Sequence, residues 1–456
     1  MNLTSGVDAY LSSGVLPFYY SLVVIINLAL IIKFKWNKFA VFIILLFSEG
    51  LFVYLGNHIS IFNSFYKIGF FAIAILLFHK PLILLKKRGN EKWMLTVILL
   101  IGIFFFISGY LNHTNPLISL SQFSKKYFIL VLFYFGLRKV NDPYLFYIGK
   151  IFIWVLVTQV LFTLIKLILF GFGESLIGSI SFDGGGPSNI LPVLGFLIIF
   201  LYRKGKLSKK DWCLIFGLFL IAVIGNKRSV IVILPLIIGA TLFYVHKSIS
   251  LFKLIKFLPL IFFLLYLGVR INPTLNPEGT RWGSFDLGFL QEYSINYTFG
   301  NEEAYESDDL IGGRGGSFVS FLKNDIELKD GKFLFGEGIN SILLDYENFE
   351  NERFGIDSKG SAGAALQNFI AYGFIGVILI FLFTISWIRL VSNYALSVIL
   401  LFFLIWDYIL FYNTTITINA MGISLIFIVE LSNRIYKKPC QAISFNKYAI
   451  VSTKNF

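Results

Sequence analysis

The chain has 456 residues, 57% hydrophobic, 18% aromatic and only 14% charged, with a mean hydropathy of +0.77. Soluble domains carry roughly 25% charged residues, so a soluble globular enzyme is excluded, and apolar runs without polar alternation exclude a transmembrane barrel. The net charge of +13 does not mark a nucleic-acid binder, because the cations cluster in short loops between apolar runs.

The start MNLTSGVDAY lacks a basic segment ahead of the first apolar run, so that run is expected to remain as a helix rather than be removed as a signal peptide. Thirteen spans follow from runs near the ~20 residues that cross a bilayer as helix. They cover 14–32, 39–56, 68–85, 93–109, 119–137, 146–169, 187–202, 212–225, 229–246, 252–269, 365–388, 394–411 and 416–432. The fold class is therefore an all-α polytopic integral membrane protein with about 13 transmembrane helices (range about 11–14) and one large folded external loop. Residues 1–269 form the N-terminal helices, 270–364 the external loop or cap, and 365–456 the C-terminal helices and tail.

If the N-terminus lies outside, every second loop is cytoplasmic, and these are the basic ones: KFKWNK (33–38), KKRGNEK (86–92), LRKVND (137–142), RKGKLSKKD (203–211), HKSISLFKLIK (246–256), the Arg389 turn and the tail from RIYKKP. Short-loop Lys and Arg set orientation, so the expected arrangement is an N-terminus outside and a C-terminus in the cytoplasm. Cys213 and Cys440 then both fall inside, with no metal-ligand or redox spacing and no disulfide expected.

The loop 270–364 differs in length and sign, with eight Lys and Arg against seventeen Asp and Glu, a net of about −9. Its aromatics and the helical apolar spacing at Phe318, Phe321 and Leu322 predict a folded cap with short helices.

Outside the cap, the outer side carries few cations: Lys67, Lys125, Lys126, Lys227 and Arg228. Two of them stand in IGNKRSVIVILP (224–235), where one reading has both snorkelling to lipid phosphates. In the other, Lys227 and Arg228 bind a polyanion at the membrane boundary, the Arg fork matching two phosphate oxygens. A lipid-linked diphosphate is the natural ligand. Arg314, in GGRGG, is either a loop cation paired with Asp308 or Asp309 or a second diphosphate contact freed by its glycines. Arg281, beside Trp282, is a third diphosphate candidate or a cation–π partner. In GGGPSNILP (184–192), Pro187 suits a first helical turn and Asn189 is either a cap or a pocket residue. Glu49, Lys166, Asp407 and Glu430 fall inside spans, where ionisable groups face the bundle interior. There is no HExxH, GxSxG, P-loop or metal-type His cluster, so neither metal nor cofactor is expected.

With these segments in order, the chain resembles the bacterial O-antigen polymerases (Wzy type), within the superfamily that includes the O-antigen ligases. GNKRSVIVILP is similar to the family's Arg at the outer start of a span. GGRGGSFVSFLKNDIELKDGKFLFGEG (312–338) resembles its loop Arg, amphipathic helix and Gly-x-Gly, here Gly336 and Gly338. GGGPSN is similar to its Pro-x-Asn segment, and AALQNFIAYGFIGVI (364–378) to the helix after the loop with an aromatic-Gly-x-x-Gly pattern. Where ligases carry a His-Asn pair, this chain has Ser361, Ala362 and Gly363, which disfavours the ligase alternative.

The resemblance implies a glycosyltransferase of GT-C-like architecture that joins undecaprenyl-diphosphate-linked repeat units at the periplasmic face, with lipid-linked donor and acceptor. A chain-length regulator is a candidate partner. Arg228 and Arg314 would clamp the diphosphate, Glu337 in the Gly-Glu-Gly turn would be the base with Asp357 as runner-up, and Asn189 and Trp282 would line the glycan pocket. A transporter of lipid-linked glycans is the alternative from another class.

Overall fold

A computed structural model describes residues 14–59, 61–62, 65–171, 177–182, 186–225, 227–245, 258–299, 317, 331–338, 363–410, 414–416 and 418–436. The described secondary structure is helical, with no strand among these residues. The first helices are α1 (Leu16–Lys33), α2 (Lys38–Leu46), α3 (Glu49–His58), α4 (Phe70–Leu84), α5 (Gly89–Leu111) and α6 (Pro116–Phe123). A π-helical turn, Ser124–Phe128, joins α6 to α7 (Ile129–Lys139). Then come α8 (Asp142–Phe170), α9 (Gly186–Tyr202), α10 (Lys209–Ile224), α11 (Arg228–Ala240), α12 (Leu258–Ile271) and α13 (Leu287–Phe299). The short α14 (Lys332–Phe335) precedes α15 (Ala364–Ile388), α16 (Tyr394–Leu410) and α17 (Asn419–Tyr436).

Among the described residues, helix falls within each of the thirteen apolar intervals, but not as uniform rods. By length and composition, α1, α5, α8 and α15 are each long and apolar enough to cross a membrane, and the pair α2 and α3, bent by 64°, makes a fifth candidate. The bend falls at Phe47 and Ser48, where the chain takes one non-helical step at Ser48 (φ −111°, ψ 24°). The expected amphipathic helix at Phe318, Phe321 and Leu322 lies outside the described residues, as do Cys440, Arg314 and Asp357.

Three helices form the centre. Along α9 the residues from Ile190 to Leu201 are buried without interruption, and so are 129–137 of α7 and 419–433 of α17. A helix apolar on all sides belongs inside a bundle or a membrane, and here α17 packs between α9 and α7. The surrounding helices turn apolar side chains outward: Ile25 is 62% exposed, Leu99 62% and Ile168 82%. Such a surface, apolar on its outer face as well as in its core, suits lipid and not water.

Several of the basic loops meet through their contacts. Glu91 accepts hydrogen bonds from the Arg88 N–H, Tyr134 Oη and Arg138 (2.5 Å). Arg434 pairs with Asp142 (2.6 Å) and Glu430 (2.7 Å) and donates to the carbonyls of Arg138 and Val140. Asn90 donates to the Arg389 carbonyl (2.9 Å), and Lys204 lies over the Phe146 ring. Loops separated by up to about 300 residues thus share one basic end of the bundle.

At that end Ser208 caps α10, and Asp211 returns the bond to the Ser208 N–H (2.8 Å) while taking a second from Arg203 (2.9 Å). Burial pushes the Asp211 carboxyl up, but the Ser208 and Arg203 hydrogen bonds outweigh it and hold it below the usual value. A depressed carboxylate stabilises the fold above its unfolded value of about 3.9, and that contribution is lost as pH falls through the lower folded value. Asp211→Ala is expected to cost about 1 kcal/mol near neutral pH, in the range of helix caps. Thermal unfolding in detergent should then show a smaller variant-to-native gap below about pH 4 than at pH 7.

Candidate functional site

The segment 331–338 meets the bundle at a break in a helix. α15 carries one non-helical residue, Gly373 (φ 62°, ψ −169°), which interrupts the ladder above it. The carbonyls of Ile370 and Ala371 would normally accept the N–H groups four residues on. Instead they accept from the loop: Glu337 N–H to Ile370 O at 2.8 Å and Gly338 N–H to Ala371 O at 3.0 Å. Ser108 of α5 adds a bond to the Phe335 carbonyl (3.0 Å). Ring contacts complete the dock, with Phe335 stacked on Phe104, and Phe333 against Phe369 and Phe374.

Only glycine permits this approach. A Cβ on Gly336 would lie 2.4 Å from both Ala371 C and Tyr372 N, and one on Gly373 would lie 2.5 Å from Leu334 C. Both residues also hold positive φ, open to glycine at no steric cost. The Gly-x-Gly of the loop and the aromatic-Gly of α15, separate motifs in the sequence, are the two sides of one joint.

Glu337 sits in the joint with its side chain 18% exposed, and Lys332 Nζ is 3.5 Å from its Oε1. Gly338 rests against Asn112 and Thr114. Thr114 lines an open surface hollow of about 960 Å³ where α5 turns into α6, together with Phe106, Tyr110, His113, Asn115 and Ser119. Large, mainly apolar clefts with a few polar groups are the default ligand sites, and this one opens at the end opposite the basic loops. An aromatic and hydroxyl lining of this kind suits sugar rings.

A second group lies at the mouth of α11. Ser229 donates to Asn189 Oδ1 (3.2 Å), and Gly225 abuts Ser188, so the GGGPSN and GNKRSV segments meet. Pro187 occupies the first turn of α9, and Asn189 takes the Ser229 hydroxyl as its partner. Lys227 is the residue before α11, and Arg228 is its first residue, at the positive pole of the helix dipole, with its side chain outside the described residues.

Trp282 is 61% exposed with φ 64°, and its turn is gripped by Arg270, which donates to the carbonyls of Trp282 (3.1 Å) and Gly283 (2.8 Å). Arg281 is exposed on that turn. The candidates are therefore distributed: α11 packs on α9, α10 and α12, whereas the docked loop packs on α5 and α15.

The charges within spans find distinct partners. Glu49 pairs with Lys125 (3.4 Å), Lys166 donates to the Ser181 carbonyl (3.2 Å), and Glu430 pairs with Arg434. Asp407 accepts the Thr415 N–H (2.6 Å). Sequence reasoning missed the α15 break and the 106–119 hollow; the Tyr372-Gly373 step was the visible signal for the first, and nothing local marks the second. No family model matches the chain, and no curated protein or solved structure matches it either.

Proposed function

We propose that the chain is a polymerase of the O-antigen type, joining undecaprenyl-diphosphate-linked oligosaccharide repeat units into a surface polysaccharide at the periplasmic face of the bacterial inner membrane. The observation that carries this reading is the joint between Gly336–Gly338 and the broken α15, which fastens the segment 331–338 beside a hollow large enough for saccharide units. In this reading the basic end is cytoplasmic, the N-terminus periplasmic, and thirteen spans of GT-C-like architecture carry the cap.

The reaction breaks the bond between the donor's anomeric carbon and its diphosphate oxygen while an acceptor hydroxyl forms the new glycosidic bond. A single displacement inverts the anomeric centre. The electron pair leaves with the lipid diphosphate, whose growing charge is stabilised by Arg228 from the bundle and Arg314 from the cap. Glu337 accepts the hydroxyl proton, with Asp357 as the alternative base, and both Asn189 and Trp282 contact glycan. Lys227 and Arg281 extend the anion-binding edge. No step in this scheme uses a metal or cofactor.

Genetic deletion separates this from ligation. Cells lacking the chain should retain single repeat units on lipid A; loss of all repeat units from lipid A would point to a ligase. The break in α15 favours one second reading, a transporter, since discontinuous helices line ion and substrate paths.

A further inference from the structure

Asp407 is 1% exposed near the end of α16, and its two oxygens are treated differently. One accepts the Thr415 N–H at 2.6 Å; the other, Oδ1, is buried without a hydrogen-bond partner among the described residues. A buried carboxylate is costly unless it is paired, and no Lys, Arg or His forms an ion pair with it among the described residues. Beside it lies a cavity of about 20 Å³, enough for one water-sized sphere.

The lining supplies hard oxygen donors. Tyr127, Asn368, Thr384, Tyr408 and Thr414 border the cavity with Asp407, while Ile380, Leu404 and Ile416 close it off with apolar surface. The geometry points to a binding site for one monovalent alkali cation, held between the Asp407 carboxylate and neutral oxygens of the 368, 408 and 414 side chains.

Charge balance selects the valence. Among the described residues no group of three His, Cys, Asp or Glu side chains gathers to hold a metal. A divalent ion on a single carboxylate would leave a net positive charge in an apolar interior, whereas a monovalent ion leaves none. Oxygen ligands in place of thiolate or imidazole favour an alkali ion over a transition metal. The site is independent of the proposed transferase activity and stands or falls without it.

The test uses the purified full chain in detergent. Unfolding midpoints are measured in sodium, potassium or N-methyl-D-glucamine chloride at equal ionic strength, alongside saturable binding of radioactive sodium and rubidium. A cation held only by the folded state should raise the midpoint with the logarithm of its concentration, and the two isotopes show which alkali ion is preferred. Asp407→Asn should abolish saturable binding and the cation-dependent rise, and Tyr408→Phe should weaken affinity by about tenfold or more. Equal midpoints in all three salts with no saturable binding to the native chain would overturn the site and leave a water in the cavity. So would an unchanged cation response in Asp407→Asn. The native-chain binding measurement decides the matter even where a variant fails to fold.

Discussion

Replacing Gly336 by alanine is expected to release the segment 331–338 from the bundle and, under the proposed polymerase function, to stop chain elongation while the helices still insert. The new Cβ meets the main-chain atoms of Ala371 and Tyr372 at 2.4 Å, and backbone cannot rotate aside as a side chain can. The residue must also hold φ 73° with ψ −176°, a region essentially confined to glycine. Backbone strain and overpacking each cost about 1–3 kcal/mol, so the docked state loses at least about 2 kcal/mol. That corresponds to a roughly 30-fold rise in the undocked fraction. Gly331→Ala is the control: its φ is also positive, at 71°, but nothing lies within 4 Å of its Cβ. Limited proteolysis across 331–338 should speed up far more for Gly336→Ala than for Gly331→Ala. Equal cleavage rates in the two variants would show that the joint is not held by glycine contact.

The second large effect concerns the proposed diphosphate clamp. Arg228→Ala and Arg314→Ala should each lower polymer formation by about 100- to 1,000-fold, the loss typical of removing one donor to a developing anion. Arg228→Lys should also be impaired, since a point charge does not replace a planar two-pronged donor. Gel profiles of surface polysaccharide, normalised to membrane protein level, read this directly. Wild-type chain lengths in Arg228→Ala would leave Arg228 as a lipid anchor like the alternative reading of Lys227.

The helix positions were legible because a bilayer imposes long apolar runs, and basic loops mark one side through their Lys and Arg. The contacts of Arg434 with Asp142 and of Asn90 with the Arg389 carbonyl bring four of those basic segments to one end of the bundle. The breaks were harder to read. Apolar composition runs unbroken through Gly373 and almost unbroken through Phe47 and Ser48, so a hydropathy window sees one span where the chain turns. At Gly373 the deciding fact is the partner, since the loop N–H groups that replace the lost ladder come from more than 30 residues upstream. Asp407 was visible as an acid within an apolar run, yet its one-sided hydrogen bonding depends on Thr415, eight residues on, which no periodicity marks. Asn189 lies within the first turn of α9, not at its cap, and its partner Ser229 lies 40 residues away.

The most direct measurement is elongation by the purified protein. Supplied with a synthetic repeat unit on a polyprenyl diphosphate and no other protein, the native chain should release lipid diphosphate and form glycans of two or more repeats, and Glu337→Gln should slow this by about 100-fold or more. Intact substrate after incubation with folded, full-length protein would contradict the polymerase reading.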